Sequence, residues 1–173
     1  LSRIANNGSR YYATTLVGLF FGNVMVGYYV MVEKLFYAFM SLGGIITQTL
    51  YPYMSRTKNI KFFKKVLFTV TTAAFILLIS LMFSHELFLK VIYDVNNEIL
   101  SDIFLIVFSG AIFGIVSALL GYPLLAAFGY IKHANNSLIY ASLIYVTYIS
   151  IVAFFSMNIY LVASALFVYN LVG

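Results

Sequence analysis

Residues 101–128 read SDIFLIVFSGAIFGIVSALLGYPLLAAF, and their reading decides the fold. No Asp, Glu, Lys or Arg follows Asp102 before Phe128. The run exceeds the ~20 apolar residues that carry an α-helix across a bilayer. Lipid offers the backbone no hydrogen-bond partner, so only helices and closed barrels span it, and a barrel strand would show ~10 residues of alternating polarity. The run does not alternate, so it is read as a helix. Gly110, Gly114 and Ala118 recur at a four-residue spacing that lets another helix approach closely. Gly121 and Pro123 interrupt the run and predict a kink, because proline removes a backbone hydrogen bond. In transporters such breaks serve as hinges; a passive bend is the alternative.

Three further apolar runs follow the same rule, at 62–84, 136–156 and 158–173. A fifth covers 24–52 and is expected to end at Pro52. The first, 4–22, carries Asn6, Asn7, Gly8, Ser9 and Arg10, which suits a helix facing a wet cavity. A rival division makes 11–31 and 35–54 the spans, with Glu33 and Lys34 in the turn. Gly22-Asn23 is a turn signal, whereas Met31 to Phe36 contains no Gly, Pro or Asn, which favours the first division. Residues 1–173 then form one all-α, polytopic membrane bundle of six spans. Between 84 and 100, Leu87, Phe88, Val91 and Ile92 share one helical face, so this connection reads either as a helix lying in the membrane interface or as a helix extension.

Composition agrees. Hydrophobic residues make up 63% of the chain and charged residues 9%, against about one quarter charged in soluble domains. There is no cysteine, which removes disulfides and thiolate chemistry, and His85 and His133 stand far apart, so no metal site or cofactor is expected. Paired carboxylates in reach, nucleophile elbows and phosphate loops are absent, so no catalytic residues are assigned and the chain is not read as an enzyme. The net charge of +5 could attract nucleic acid, but the basic residues flank apolar runs, which makes them a topology signal instead. With six spans, Arg3, Arg10, Arg56, Lys58, Lys61, Lys64, Lys65 and Lys132 fall on one side, whereas Glu86, Lys90, Asp94, Glu98 and Asp102 fall opposite. The basic side is expected to be cytoplasmic, with both chain ends inside. The aromatic residues near Arg56–Lys65 complete an interfacial anchor, or draw anionic headgroups.

Candidate functional residues gather on the 24–52 helix. At about 100° per residue, Tyr29, Glu33, Tyr37, Ser41, Gln48 and Tyr51 fall on one arc, with Lys34 at its edge and Gly44 and Thr47 beside it. A charge deep in a bilayer costs about 2.5–3.5 kcal/mol on insertion scales, so Glu33 and Lys34 need a reason to be there. They form either a cavity wall that meets substrate or a coupling cation, or an internal polar packing surface. Adjacent residues do not face one another, so the two are expected to have separate partners. Arg10 is a second candidate, as an anion-binding side chain or as one that snorkels to the interface. The hydroxyls of Tyr140, Ser142, Tyr145, Thr147, Tyr148 and Ser150 either bond back to their own helix or bind sugar.

Three stretches carry a resemblance. LFFGNVMVGYYVMVEKLFYAF (19–39) resembles the junction between the seventh and eighth helices of the multidrug/oligosaccharidyl-lipid/polysaccharide exporter superfamily, in particular its Wzx-type O-antigen flippases. ITQTLYPYMSR (46–56) resembles the end of that eighth helix, and LGYPLLAAFGYIKHANN (120–136) the tenth helix with its following loop. Residues 1–18 are more polar than the family's seventh helix. The resemblance implies the carboxyl-terminal half of a twelve-helix transporter in the bacterial inner membrane, with a missing amino-terminal half as partner. It further implies translocation of undecaprenyl-pyrophosphate-linked repeat units to the periplasmic leaflet, by alternating access through a cationic cavity. Expected partners are that lipid-linked oligosaccharide, membrane lipids, a coupling cation and the polysaccharide polymerase machinery. Three alternatives stand beside it: a cation-coupled multidrug exporter of the same superfamily, a fragment without transport function, and a membrane-bound polymerase. The last would need a larger external loop than 84–100.

Overall fold

The computed structural model describes residues 2–156 and 158–172, with the side chains of 2–7 and 10 outside the description. All regular structure among the described residues is helical: α1 (Ser2–Thr57), α2 (Ile60–Phe83), α3 (His85–Tyr93), α4 (Glu98–Ser109), α5 (Ala111–Leu119), a π-helical stretch (Leu120–Ala126), α6 (Ile131–Phe155) and α7 (Ile159–Val172). α4, α5 and the π-helical stretch together make one apolar run, Glu98–Ala126, long enough to cross a membrane.

α1 is two helices folded at Gly22, whose φ of 80° and ψ of 174° lie outside helical geometry. Left-handed φ strains any residue with a Cβ, so the turn falls on glycine. The reversal is sharp. Eight residues of continuous helix rise ~12 Å, yet a methyl group on Gly18 would stand 3.3 Å from Val26 Cγ2. The arms are α1a (2–21) and α1b (23–57). The chain thus turns where Gly22-Asn23 signals it, and Glu33 and Lys34 stand inside a helix. Among the described residues, the two arms, α2, the Glu98–Ala126 run, α6 and the shorter α7 make an all-α bundle of six main helices.

Pro52 does not stop α1b. The helix continues to Thr57 with Pro52 inside it and exposed. An exposed ring meets no neighbouring helix, and membrane helices tolerate the lost hydrogen bond by local adjustment. Pro123 acts differently. Around it the helix widens into the π-helical stretch, closing on a five-residue bond from Tyr130 N to Leu125 O (2.8 Å). Widening makes room for a ring that would otherwise strike the carbonyl one turn back.

Asparagines cap the starts of α2, α4 and α7. Asn59 Oδ1 accepts from Phe62 N at 3.0 Å, Asn97 Oδ1 from Ile99 N and Leu100 N, and Asn158 Oδ1 from Tyr160 N. Each satisfies amides that a helix start leaves without internal partners.

Two contacts place the connections. Lys58 Nζ stands 5.8 Å from the centroid of the Phe128 ring, so the α1–α2 and π–α6 connections share one end of the bundle, the basic one. At the other end, α3 is a separate helix rather than an extension of α2. Its Phe88 ring lies 6.0 Å from Phe104 on α4, and its Tyr93 hydroxyl donates to the Met31 carbonyl at 3.0 Å. Leu89 faces the bundle, while Leu87 and Val91 face outward at 67% and 76% exposure. That division gives α3 one face for protein and one for the interface.

The core lies between α1, Glu98–Ala126, α6 and α7. The four-residue stripe is its tightest seam. A methyl on Gly110 would stand 2.8 Å from Phe167 Cα, and one on Gly114 would collide with Asn170 Oδ1. α2 packs on the outside, with Phe68, Phe75 and Ile76 exposed. Wide apolar exposure on long helices fits a protein whose solvent is lipid.

Candidate functional site

The α1b arc straddles a boundary instead of facing one environment. Ordered around the helix, Tyr29 is 1% exposed and Glu33 8%, Tyr37 is half-buried, and Gln48, Ser41 and Lys34 are exposed. The arc is about 140° wide at 100° per residue, so one edge turns into the bundle and the other out of it. Glu33 and Lys34 accordingly face different surroundings. The Arg10 side chain lies outside the described residues.

At the inner edge, the Tyr29 and Tyr145 hydroxyls stand 3.1 Å apart, both buried, and Tyr145 meets the Tyr169 ring edge-on at 5.8 Å. Glu33 follows Tyr29 by one helical turn and is buried on the same side. Glu33 does not sit midway through the bundle. Met31, two residues before it, is within reach of Tyr93 from α3, and two residues are only ~3 Å of helix. Glu33 is therefore displaced toward the acidic end, where Glu86, Asp94, Glu98 and Asp102 are exposed.

At the outer edge, Lys34, Ser41, Gln48 and Ser55 recur every seven residues and are all exposed. Ser41 Oγ bonds back to Ala38 O at 2.7 Å, so that hydroxyl is satisfied within its own helix. No such local bond serves the Lys34 ammonium or the Gln48 amide among the described residues, and both project from the bundle. The hydroxyls of α6 divide in the same way. Ser142 and Thr147 bond to the carbonyls four residues back, as hydroxyls in membrane helices do; Tyr145 and Tyr148 bond to neighbouring helices, and Ser150 does both, bonding to Val146 O and to the Tyr12 hydroxyl.

Behind Tyr37 a partly open cavity of about 260 Å³ lies between α1b, α5, the π-helical stretch, α6 and α7. Phe36 and Tyr37 wall it on one side; Tyr122, Ser137, Tyr169 and Asn170 supply its polar groups. Tyr122 is fixed by donating to Asn135 Oδ1 at 2.8 Å. Among the described residues no Asp, Glu, Lys or Arg lines the cavity. Among the described residues the cavity is therefore not cationic: Lys34 lies outside it and Glu33 one turn beyond its Phe36–Tyr37 wall. Of the arc on α1b, Tyr37 alone reaches the cavity. Sequence reasoning did not anticipate Asn170, a 6% exposed amide in an otherwise apolar stretch of α7, and that oddity was the available signal. Among the described residues no three His, Asp or Glu side chains gather in one place.

The fold and its exposed apolar helices define the class: a membrane-embedded, polytopic helical bundle. No family model, curated protein or solved structure matches the chain.

Proposed function

We propose that this chain is one half of a bacterial inner-membrane flippase, which carries undecaprenyl-pyrophosphate-linked polysaccharide repeat units, of the O-antigen kind, from the cytoplasmic to the periplasmic leaflet. The observation that carries the reading is the outward stripe of Lys34, Ser41 and Gln48 on a membrane helix. Lipid disfavours an exposed ammonium and amide by several kcal/mol. Such a stripe is stable against water or against a second polar bundle, and a translocation passage between two halves supplies both. Lys34 would then offer the passage wall a cation for the pyrophosphate, and Gln48 and Ser41 hydrogen-bonding groups for sugars. The basic end, with Arg56, Lys58, Lys61, Lys64 and Lys65, is placed in the cytoplasm, where it attracts the anionic carrier. The resemblance of 19–39, 46–56 and 120–136 to O-antigen flippases supports the same reading.

The test is display of surface polysaccharide by cells whose full-length protein carries Lys34→Gln or Glu33→Gln. Both variants are expected to lower display at unchanged protein level, with lipid-linked repeat units accumulating in the inner membrane. Normal display with both variants, at normal protein level, would remove the reading.

A further inference from the structure

α1b and α2 are joined by Lys58 and Asn59 alone. Helices so connected ordinarily pack side by side at ~8–10 Å. Here they meet beside the connection, where the Tyr53 and Phe62 rings stand 4.7 Å apart. Farther along, the backbone of α2 leans on α5 instead. The divergence leaves a groove. Its first stretch, about 410 Å³, runs between Ile45, Leu50 and Tyr53 on α1b and Phe62 and Val66 on α2. A second stretch, about 240 Å³, begins at Ile46, which borders both, and continues between Phe39 on α1b and Leu77 on α2. From Tyr53 back to Phe39 is fourteen residues of helix, or ~21 Å. The groove therefore starts at the basic end and reaches past the middle of the ~30 Å hydrocarbon layer, the depth spanned by the chains of one leaflet.

We propose that this groove is a site for one anionic phospholipid of the surrounding bilayer, an acyl chain lying between α1b and α2 and the phosphate held by Arg56, Lys61 and Lys65. Charge at the mouth chooses the occupant. Along α1b, Arg56 extends the exposed edge of Ile45, Thr49 and Pro52, one turn past the Tyr53 ring. Along α2, Lys61 and Lys65 head the edge that continues through exposed Thr69 and Ile76. All three cations are exposed, whereas Lys58 is turned to the Phe128 ring. No Asp or Glu occurs between Glu33 and Glu86, and exposed Glu86, Asp94, Glu98 and Asp102 stand at the opposite end of the bundle. Three cations without a counter-charge on their own helices, converging on one opening between membrane helices, suit an anionic headgroup. The division between head and tail is a division along the helices. Among the described residues no charged side chain lines either stretch, and Thr49 returns its hydroxyl to Ile45 O at 3.0 Å. A hydrocarbon chain restores the dispersion contacts that a gap between helices forfeits. Ser41 and Gln48 stand roughly 80–100° around α1b from Thr49, so the groove is separate from the polar stripe and the site does not rest on the flippase reading.

The test is photolabelling of the full chain in phosphatidylcholine nanodiscs. Two trace probes carry the same diazirine acyl chain, one on phosphatidylglycerol and one on phosphatidylcholine. The phosphatidylglycerol probe is expected to mark α1b and α2 peptides that border the groove in preference to the phosphatidylcholine probe. Arg56→Gln and Lys65→Gln should each lower that preference about fivefold, the effect of one cation beside a headgroup. Lys132→Gln removes a charge from the same end of the bundle, away from the groove, and should leave the preference unchanged. Thr49→Trp, at an exposed position on the groove wall, should abolish groove labelling, and Val66→Trp should do so from the opposite wall if the first variant fails to fold. Equal labelling by the two probes, or labelling indifferent to a folded tryptophan variant, would overturn the proposal. A loss with Lys132→Gln as large as with Arg56→Gln would reduce it to a diffuse surface potential. Displacement of the phosphatidylglycerol probe by a small fraction of its concentration of polyprenyl diphosphate would give the groove to an isoprenoid carrier and overturn the assignment to a phospholipid.

Discussion

α2 and the Glu98–Ala126 run are both long, apolar helices, and the fold treats them oppositely. Only 6% of the α2 window is buried inside the bundle, against 50% for Glu98–Ala126. Apolarity takes a helix into the membrane but does not choose its neighbours, because lipid tails are as apolar as leucine. Surface shape does. Glu98–Ala126 presents Gly110 to the α7 backbone and Gly114 to the Asn170 side chain at contact distance, whereas α2 presents Phe68, Phe75 and Ile76 outward. Close packing, in place of hydrophobic burial, sets the interior of this protein.

The contrast breaks most visibly at Gly110. Gly110→Leu drives a side chain into the Phe167 backbone and should destabilise the bundle by about 3 kcal/mol, while Phe75→Leu on α2 should stay within about 0.5 kcal/mol. Unfolding in mixed micelles, followed by circular dichroism, measures both. A smaller effect sharpens the point. Leu119 is fully buried, and Leu119→Ala should cost about 1–2 kcal/mol, below the 2–5 of soluble cores, because the transfer from water is missing and mainly the cavity term is left. Smaller again is Tyr145→Phe, which removes the Tyr29–Tyr145 contact and should cost about 0.6 kcal/mol, the mean for hydrogen bonds between membrane helices.

The acidic end gives a pH-dependent case. Burial raises the pKa of the Tyr93 phenol above its ordinary 10.0. A raised pKa means the folded state prefers the protonated hydroxyl, which donates to Met31 O. Its contribution is whole below pH 10, declines above it, and is lost as pH rises through the folded value. The chain has no cysteine, so an environment-sensitive dye on Leu87→Cys reports on α3 alone. Undocking should begin above about pH 10, and Tyr93→Phe should leave α3 loose at neutral pH with no further change.

The helices were legible because long apolar runs have few other uses, and the turn at Gly22 because a left-handed residue favours glycine. The form of the distortion at Pro123 was not, since a kink and a π-helical widening both answer a missing amide hydrogen. Pro52 misled because proline does not always end a membrane helix: local adjustment can accommodate its ring and its missing amide bond. The arc on α1b was legible as an arc, but the line that divides Glu33 from Lys34 is drawn by α6 and α3, which no periodicity in 24–52 contains. The cavity was illegible for the same reason: Tyr37, Ser117, Ser137 and Asn170 share it only after five elements pack.

Cysteine accessibility in a bilayer tests the account most directly. Single variants Ser41→Cys, Gln48→Cys and Phe75→Cys, in a chain with no native cysteine, are exposed to a membrane-impermeant maleimide. The account predicts that the two α1b positions react while Phe75→Cys stays protected by lipid. Protection of all three positions alike would show that the α1b stripe faces hydrocarbon, and would contradict it.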